Sequence, residues 1–534
     1  MKYNYDKFFE KFGPDVHFDP VRFTEIAKLC KGDILDVGCG TGTLADFYKG
    51  NYFGCDISKV AIKMAKEIRN KEAHFFVFDF CSPNDEITGK YDTIVLAEFL
   101  EHIEDDPIVL KNLLKLSKEN SRWVISVPNG DRIPDESHIR QFTIPELRKK
   151  FKDYGKVKFY NWPGAEKRIL MTVDLGQKNE NLLGLCMILK NEALGLEKAV
   201  LSCLNFVDEI VLAVDNSSID DTEKIAKLYA DTLKNYKWKN SFCQARNEAQ
   251  KFCTTKYILA LDGHEYVEST GSLDFLKKDQ YDGFFVKIKL ENNFSFNFPR
   301  IVKKEVNWIK DVHNSPEVKK PVRIPDFLIV HDRAGLQSKN AKAIRDAQRS
   351  KMVFEIMKKE SKENPKNPRP YFYMGQQSYV ERKFKQAIRY YKKYLKYSKN
   401  RGERWLTYYT IAQCNTLLNR YFFALWNLAK AEKEEPNRWE TSQLTGLIYA
   451  MAGWDKKALK YLVDSFKENI GDFLYYPEIK NPADTWQLIG FLFYRKGDLF
   501  QAKVAWNRAL ELAKDESVKK AMSQNLEIIK RMMV

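Results

Sequence analysis

Asp262, His264 and Glu265 come directly after the apolar run Tyr257–Leu261. A continuous β-prone run of that kind reads as a strand covered on both faces, and open α/β sheets bind ligands at the ends of such strands. A histidine between two carboxylates there has two chemistries open to it. As a neutral imidazole it can share a divalent cation with the acids and move the preference towards Mn2+. Protonated, it can stand in for the cation against an anionic group. A second constellation, Asp36-x-Gly38-x-Gly40-x-Gly42, joins a strand at Asp33 to Val37 to a helix expected from about Thr43; Asp56 ends the next strand. Glycines let a backbone approach a ligand closely, and an acid at the neighbouring strand's end can hold ribose hydroxyls. The Gly-x-Gly-x-Gly spacing is not the Gly-x-Gly-x-x-Gly of dinucleotide sites, which argues against a pyrophosphate-bearing cofactor.

The elements that must position the glycine motif occupy residues 1–176. HFFVFDF ends a third strand at Asp79 and Phe80, and YDTIVLAEFLEHI carries Glu98, Glu101 and His102. WVISVPNG follows, then KVKFYNW and RILMTVD as an antiparallel pair. From about Phe18 to Gly176 this pattern resembles the class I S-adenosylmethionine methyltransferases, with a Rossmann-like α/β fold. The resemblance implies that Asp36, Gly38, Gly40 and Gly42 frame the methionine part of S-adenosylmethionine. It places Asp56 on the ribose, Asp79 and Phe80 by the adenine, and Glu98 among the cofactor-binding residues. Methyl transfer from a sulfonium depends mostly on alignment, while a hydroxyl acceptor still benefits from a general base. His102 and His138, the latter in ESHIRQFTIPEL, are the candidates for that base, against a purely structural role for each. His17, with Tyr3 and Tyr5 in a helical lead-in, is a candidate lid.

Residues 177–181 form a polar linker, and a new α/β unit spans 182–335. It holds LLGLCMILKNEA, a helix near Leu196 to Leu204, VDEIVLAVDNSSIDDT with Asp220, Asp221 and Thr222 capping the next helix, FCQARNEA, and LALDGHE. In this order the segments resemble family 2-type glycosyltransferases of the GT-A fold, which use nucleotide sugars. The resemblance implies that Asp215 contacts the base, that Arg246 lies near the nucleotide, and that Asp262 opens an Asp-x-Asp element. His264 replaces the second acid of that element. Three readings follow: a manganese site of Asp262, His264 and His313, a cationic substitute for the metal, or a degenerate domain. His313, in NWIKDVHNSP, favours the first. His331 matches another recurring histidine without an assigned role. Asp311 and Glu317 are the carboxylate candidates for the base of an inverting transfer.

From about Lys339 strand patterns stop. Gly375, Ala412, Gly446 and Gly490 recur at spacings of 37, 34 and 44 residues, each followed twelve residues later by Ala387, Ala424, Ala458 and Ala502. Four positions further stand Tyr391, Leu428, Leu462 and Trp506. That frame resembles the tetratricopeptide repeat, in which small residues let paired helices approach and larger ones fill between repeats. Residues 336–366 read as a bridging helix and 367–534 as the repeats, closed by a capping helix from about Asp515. The segment IGDFLYYPEIKNP reads as an irregular insert.

Composition sets the outer bounds. The 534 residues are 44% hydrophobic and 30% charged with a net charge of +16, a globular balance that excludes collagen-like and disordered classes. The start, MKYNYDKFFEKFG, has no apolar signal core, and no run of about 18 apolar residues occurs, so a cytoplasmic protein without a membrane span is expected. The 9 cysteines are scattered singly, as reduced thiols would be. The expected architecture is therefore α/β (Rossmann-like methyltransferase plus GT-A glycosyltransferase) followed by an all-α helical-repeat domain. The expected function is bifunctional: a sugar from a nucleotide sugar, most simply UDP-linked, and a methyl group go to a glycan or peptide acceptor that the repeats present. Two alternatives stay open: nucleic-acid hypermodification, which the positive charge invites, and a repeat scaffold with a degenerate glycosyltransferase. A homodimer is compatible with the repeats.

Overall fold

The computed structural model describes residues 4–16, 18–69, 72–82, 89–104, 106–290, 295–311, 314–332, 339–466, 482–513 and 515–532. Residues 1–291 with 298–336 form one compact unit, and 292–297 with 337–534 a second.

β1 (Ile34–Val37) is buried along its whole length. Asp36 is tolerated there because the Tyr52 hydroxyl donates to it at 2.6 Å. With β2 (Tyr52–Asp56), β3 (His74–Val77), β4 (Tyr91–Ala97), β5 (Ser117–Pro128), β6 (Gly155–Phe159) and β7 (Arg168–Leu175) it builds a seven-stranded sheet. The order is β3-β2-β1-β4-β5-β7-β6; the first five strands are parallel and β7 runs antiparallel to both neighbours. Helices α1 (Tyr5–Phe12), α2 (Pro20–Leu29), α3 (Lys59–Ile68), α4 (Asp106–Leu116) and α5 (Ile144–Phe151) belong to this half. The helix expected from Thr43 is only a short 3-10 turn, Thr43–Asp46. The nine residues between Gly42 and Tyr52 leave no room for several α turns plus the return to β2.

The second half of the unit has an eight-stranded sheet. Its strands are β8 (Leu183–Leu189), β9 (Glu209–Asp215), β10 (Thr232–Tyr236), β11 (Tyr257–Leu261), β12 (Glu265–Ser269), β13 (Gly283–Lys289) and β14 (Ser295–Lys303). A two-stranded ribbon, β15 (Trp308–Ile309) with β16 (Ser315–Pro316), precedes the last strand, β17 (Pro321–His331). The order is β10-β9-β8-β11-β14-β13-β17-β12, with β8 to β11 parallel. α6 (Ala193–Leu201) ends earlier than the sequence pattern suggests, because Cys203 N–H turns to the Val200 carbonyl at 3.0 Å and tightens the chain. α7 (Thr222–Tyr229) starts where Asp220 accepts both the N–H and the hydroxyl of Thr222, and α8 (Phe242–Gln250) is capped by Ser241.

The two sheets are tied side by side. Arg148 reaches Asp231 at 2.9 Å, Arg132 reaches Glu197 at 2.6 Å, and buried Asn129 donates to the Tyr229 hydroxyl at 3.1 Å. The polar stretch between the halves is held as well: Asn179 accepts the Val157 N–H at 2.9 Å, and Glu180 pairs with both Lys156 and Lys277.

The second unit is helical: α9 (Lys339–Glu363), then α10 (Arg369–Val380), α11 (Phe384–Tyr397), α12 (Arg401–Leu417), α13 (Tyr421–Glu434), α14 (Trp439–Met451), α15 (Asp455–Asp464), α16 (Pro482–Arg495), α17 (Leu499–Leu512) and α18 (Glu516–Met532). Four hairpins turn identically. Arg382, Asn419, Gly453 and Gly497 each take a positive φ, and each following N–H bonds the carbonyl five residues back. The small residues read from the sequence face the large ones: a Cβ on Gly375 would meet Tyr391 at 2.6 Å, on Gly446 Leu462 at 2.7 Å, and on Gly490 Trp506 at 2.3 Å. Most of IGDFLYYPEIKNP lies outside the described residues.

Candidate functional site

The first site lies at the C-terminal ends of β1, β2 and β4. Gly38, Gly40 and Gly42 all have positive φ, between 54° and 72°, which favours glycine at each step of the turn. Side chains are excluded at two of them, since a Cβ would meet Phe99 at 2.6 Å from Gly38 and Phe75 at 2.3 Å from Gly42. The turn thus presents bare backbone, which fits a small-molecule cofactor. Burial pushes the Asp36 carboxyl up to about 7, against the pull of the Tyr52 hydroxyl. Asp56 accepts the N–H of Gly40 at 2.9 Å and of Ser58 at 2.8 Å, and burial raises its pKa in spite of them. Asp79 is turned into its own loop, accepting from Cys81 and Ser82, while Phe80 is buried edge-on to Phe99. Glu98 has a positive φ of 53° and accepts from Ser126 at 3.0 Å and Arg168 at 3.0 Å.

Beside this turn, Glu101, His102 and His138 place ligand atoms within 4.8 Å of one another. Glu101 is fully buried with neither oxygen hydrogen-bonded, and burial, reinforced by Glu98, raises its pKa well above 4.5. His102 Nδ1 is 3.0 Å from the Ser137 carbonyl and His138 Nδ1 is 3.0 Å from that of Ile133. A carbonyl can only accept, so each Nδ1 carries a proton, and Nε2 is the nitrogen that holds the lone pair in the neutral form of each ring. Burial lowers the His102 pKa, the Ser137 carbonyl opposing it. Two such imidazoles and a carboxyl can remove a proton from an acceptor or hold a divalent cation. Tyr5 of α1 lies edge-on to His102 at 6.1 Å, and Asp6 takes the Ser58 hydroxyl at 2.6 Å, so α1 is anchored over this site. His17 and Tyr3 lie outside the described residues. Tyr52, Asp6 and the partnerless state of Glu101 were not legible from spacing.

The second site is at the ends of β8, β9 and β11. Asp215 holds an Asx turn by accepting the Ser217 N–H and hydroxyl, with its other oxygen buried 3.8 Å from Lys190 Nζ. Arg246 reaches Asp262 at 2.6 Å and stacks on Trp308. His264 is buried between Glu192, 3.3 Å from its Nδ1, and the ring of His331, 4.4 Å away edge-on. Its Nε2 is buried without a hydrogen-bond partner. Glu265 accepts from Arg300 at 2.6 Å and lies 3.2 Å from His331 Nδ1. Burial, the largest influence, would raise its pKa, but Arg300, the His331 hydrogen bond and His264 together turn the net shift downward.

His264, Glu265 and His331 bring ligand atoms within 4.8 Å. The buried His264 Nε2 without a hydrogen-bond partner is the feature that fits a divalent cation; two imidazoles and a carboxylate suit Mn2+ better than Mg2+. Asp262 is instead neutralised by Arg246, and His313 lies outside the described residues. Asp311 and Glu317 are exposed; Asp311 accepts the Phe242 N–H at the start of α8, and neither joins the buried cluster. Glu192, Arg300 and the pairing of Glu265 with His331 escaped the sequence reading. An arginine inside the apolar strand NFPRIV was the available signal for Arg300.

Comparison with known proteins agrees with this division. Residues 16–167 match the family described as a methyltransferase domain, and residues 185–334 match glycosyl transferase family 2. The mitochondrial ubiquinone biosynthesis O-methyltransferase of Saccharomyces cerevisiae is 29% identical over 118 residues, 21% of this chain and 38% of its own length. A TPR repeat-containing protein of Synechococcus elongatus is 36% identical over 83 residues, 16% of this chain and 20% of its own. The chain therefore spans well under two thirds of either relative. The solved structure of a thermophilic TPR protein from Thermus thermophilus aligns over 34% of this chain and 94% of its own, at 19% identity and a TM-score of 0.27. The chain carries a methyltransferase domain, a family 2 glycosyl transferase domain and a helical-repeat region.

Proposed function

We propose that the chain is a bifunctional glycan-modifying enzyme. It transfers a sugar from a nucleotide sugar, UDP-linked, and a methyl group from S-adenosylmethionine to a hydroxyl of one glycan or glycosylated-peptide acceptor. The observation that carries the reading is the joint between the halves. Asn129 and Arg132, on the loop that also bears His138, are held by Tyr229 and Glu197 of the sugar-transferring half. Two sites fastened together at an acceptor-side loop suit successive steps on one substrate, whose effective concentration at the second site is then high.

In the methyl-transferring half, Gly38, Gly40 and Gly42 with Asp36 would take the methionine part of the cofactor. Asp56 would take the ribose, and Asp79, Phe80 and Glu98 would complete its pocket. S-adenosylmethionine supplies an activated methyl group. Nε2 of His102 or His138 would receive the acceptor's proton. Their rings are held by the Ser137 and Ile133 carbonyls, so the lone pairs are oriented before the acceptor arrives. In the other half, Asp215 would bind the base and Arg246 would orient Asp262 beside the diphosphate. A Mn2+ ion held by His264 with Glu265 and His331 would offset the leaving group's charge, while Asp311 or Glu317 would serve as the base. Residues 1–176, 177–181, 182–335, 336–366 and 367–534 are the functional divisions of this reading, with the repeats presenting the acceptor. The 9 free cysteines suit a reducing, cytoplasmic setting, and among the described residues no helix is long and apolar enough to cross a membrane.

The test is calorimetric titration of UDP into the full chain, with Mn2+ and then with EDTA, beside His264→Ala. Mn2+-dependent binding, weakened at least about tenfold in the variant, is expected, the loss of one ligand or its support costing that much. Binding that ignores EDTA and still weakens in the variant would make His264 the cation itself. Absence of binding in every condition would overturn the UDP-sugar assignment.

A further inference from the structure

The four identical hairpins of the helical unit have a consequence for its surface. α12 packs on α14 and α14 on α16, so the hairpin turns line up along one edge of the unit. Each turn exposes large apolar side chains. Val380 and Phe422 are each 75% exposed, Phe500 63%, and Leu417, Phe423 and Trp454 all more than half. Single exposed apolar residues are ordinary, but recurrence at the same place in every repeat is not. At the opposite edge, where α11, α13, α15 and α17 end, Val463 is the only exposed large apolar side chain among the described residues, and both signs of charge occur there, with Lys396, Lys399 and Arg401 beside Glu432, Glu434 and Glu435.

The apolar edge is also cationic. Every turn carries exposed lysine or arginine beside the apolar groups, at Arg382, Arg420, Lys456 and Lys496. Lys457 lies over the Trp454 ring at 4.5 Å. Acids are fewer there, at Glu381, Asp455 and Asp498. Exposed aromatic rings set among long cationic side chains match the interfacial layer of a bilayer, where rings enter the headgroup region and cations meet lipid phosphates and carboxylates. A second copy meeting this edge through the same edge would oppose like charges along the whole row, whereas an anionic surface neutralises it.

We propose that this edge of the helical repeats docks on the headgroup layer of an anionic phospholipid bilayer. The inference is independent of the transferase reading and concerns where the enzyme works.

Flotation of the full chain with vesicles tests it, using phosphatidylcholine alone and phosphatidylcholine with about 30% phosphatidylserine. Two variants accompany the parent: Phe422→Ser with Phe423→Ser and Trp454→Ser, and Arg382→Glu with Lys456→Glu and Lys457→Glu. These side chains are exposed, so the circular-dichroism melting curve should match the parent's. The parent should float with the anionic vesicles, scarcely with the neutral ones, and lose binding at about 0.5 M salt. Each variant should bind at least about tenfold less. A parent that ignores anionic vesicles would overturn the proposal, as would variants that float like the parent. So would sedimentation velocity in which the apolar variant turns a vesicle-indifferent dimer into a monomer, which would assign the edge to self-association.

Discussion

Glu101–His102–His138 and His264–Glu265–His331 each combine one glutamate with two histidines, packed within the same distance, and their carboxyl pKa values shift in opposite directions. Glu101 sits in the interior with no hydrogen bond to either oxygen, and its pKa is driven up by burial and by Glu98. Glu265 is as deeply buried, but Arg300 touches it at 2.6 Å, and together with His331 and His264 it overcomes the burial. Arg300, with His331 and His264, separates a carboxyl whose pKa is raised from one whose pKa is lowered. The imidazoles differ in their partners too. His102 and His138 lean on backbone carbonyls, which fix the proton on Nδ1 and leave a lone pair on Nε2. His264 and His331 instead lean on the carboxylates of Glu192 and Glu265. The first set suits accepting a proton, and the second, with its carboxylate pKa lowered beside two imidazoles, suits a divalent cation.

The largest test of this contrast is Arg300→Met. It strands a buried carboxylate and should destabilise the protein by about 3–5 kcal/mol in urea unfolding. A loss below about 1 kcal/mol would mean that Glu265 does not depend on Arg300 for its charge.

A smaller effect, of opposite sign in the two clusters, should appear with pH. The folded pKa of Glu101 lies above 4.5, so its contribution to stability is whole below that pH and drains away as pH rises towards the folded value. The folded pKa of Glu265 lies below 4.5; its contribution is present above that pH and is lost as pH falls through the folded value. With EDTA present, Glu101→Gln should gain on the parent in thermal unfolding as pH is raised, while Glu265→Gln should lose on it. Curves parallel to the parent's for both variants would erase the distinction.

The smallest effect expected is that of His331→Gln. The side chain is 24% exposed and water can replace part of what it donates to Glu265, so a change within about 1 kcal/mol is expected. A loss as large as that of Arg300→Met would show that His331 shares the task of holding Glu265 charged.

Much of this could be read before folding. The order of buried strands, the Gly-x-Gly-x-Gly turn after β1, the acids at strand ends and the four-fold recurrence of small and large residues are local patterns. Hydrophobic period and backbone permissiveness impose them within a few dozen residues. The pairing of Gly490 with Trp506 across the α16–α17 hairpin follows from the repeat frame, and the structure shows the same pairing at Gly375 and Gly446.

What spacing could not carry was every contact between distant segments. Arg300 is 35 residues from Glu265, His138 is 36 from His102, and Glu192 is 72 from His264. Their meeting depends on sheet order and on how each loop returns. For the same reason Asp262 could be picked out as a ligand-type residue, while its engagement by Arg246 could not. Residue types and strand ends, which the chain encodes locally, determined where chemistry could sit. Burial and the neighbours delivered by tertiary packing decided which carboxyl has its pKa raised, which has it lowered and which imidazole nitrogen is without a hydrogen-bond partner, because desolvation and short-range Coulomb forces act through space and not along the chain.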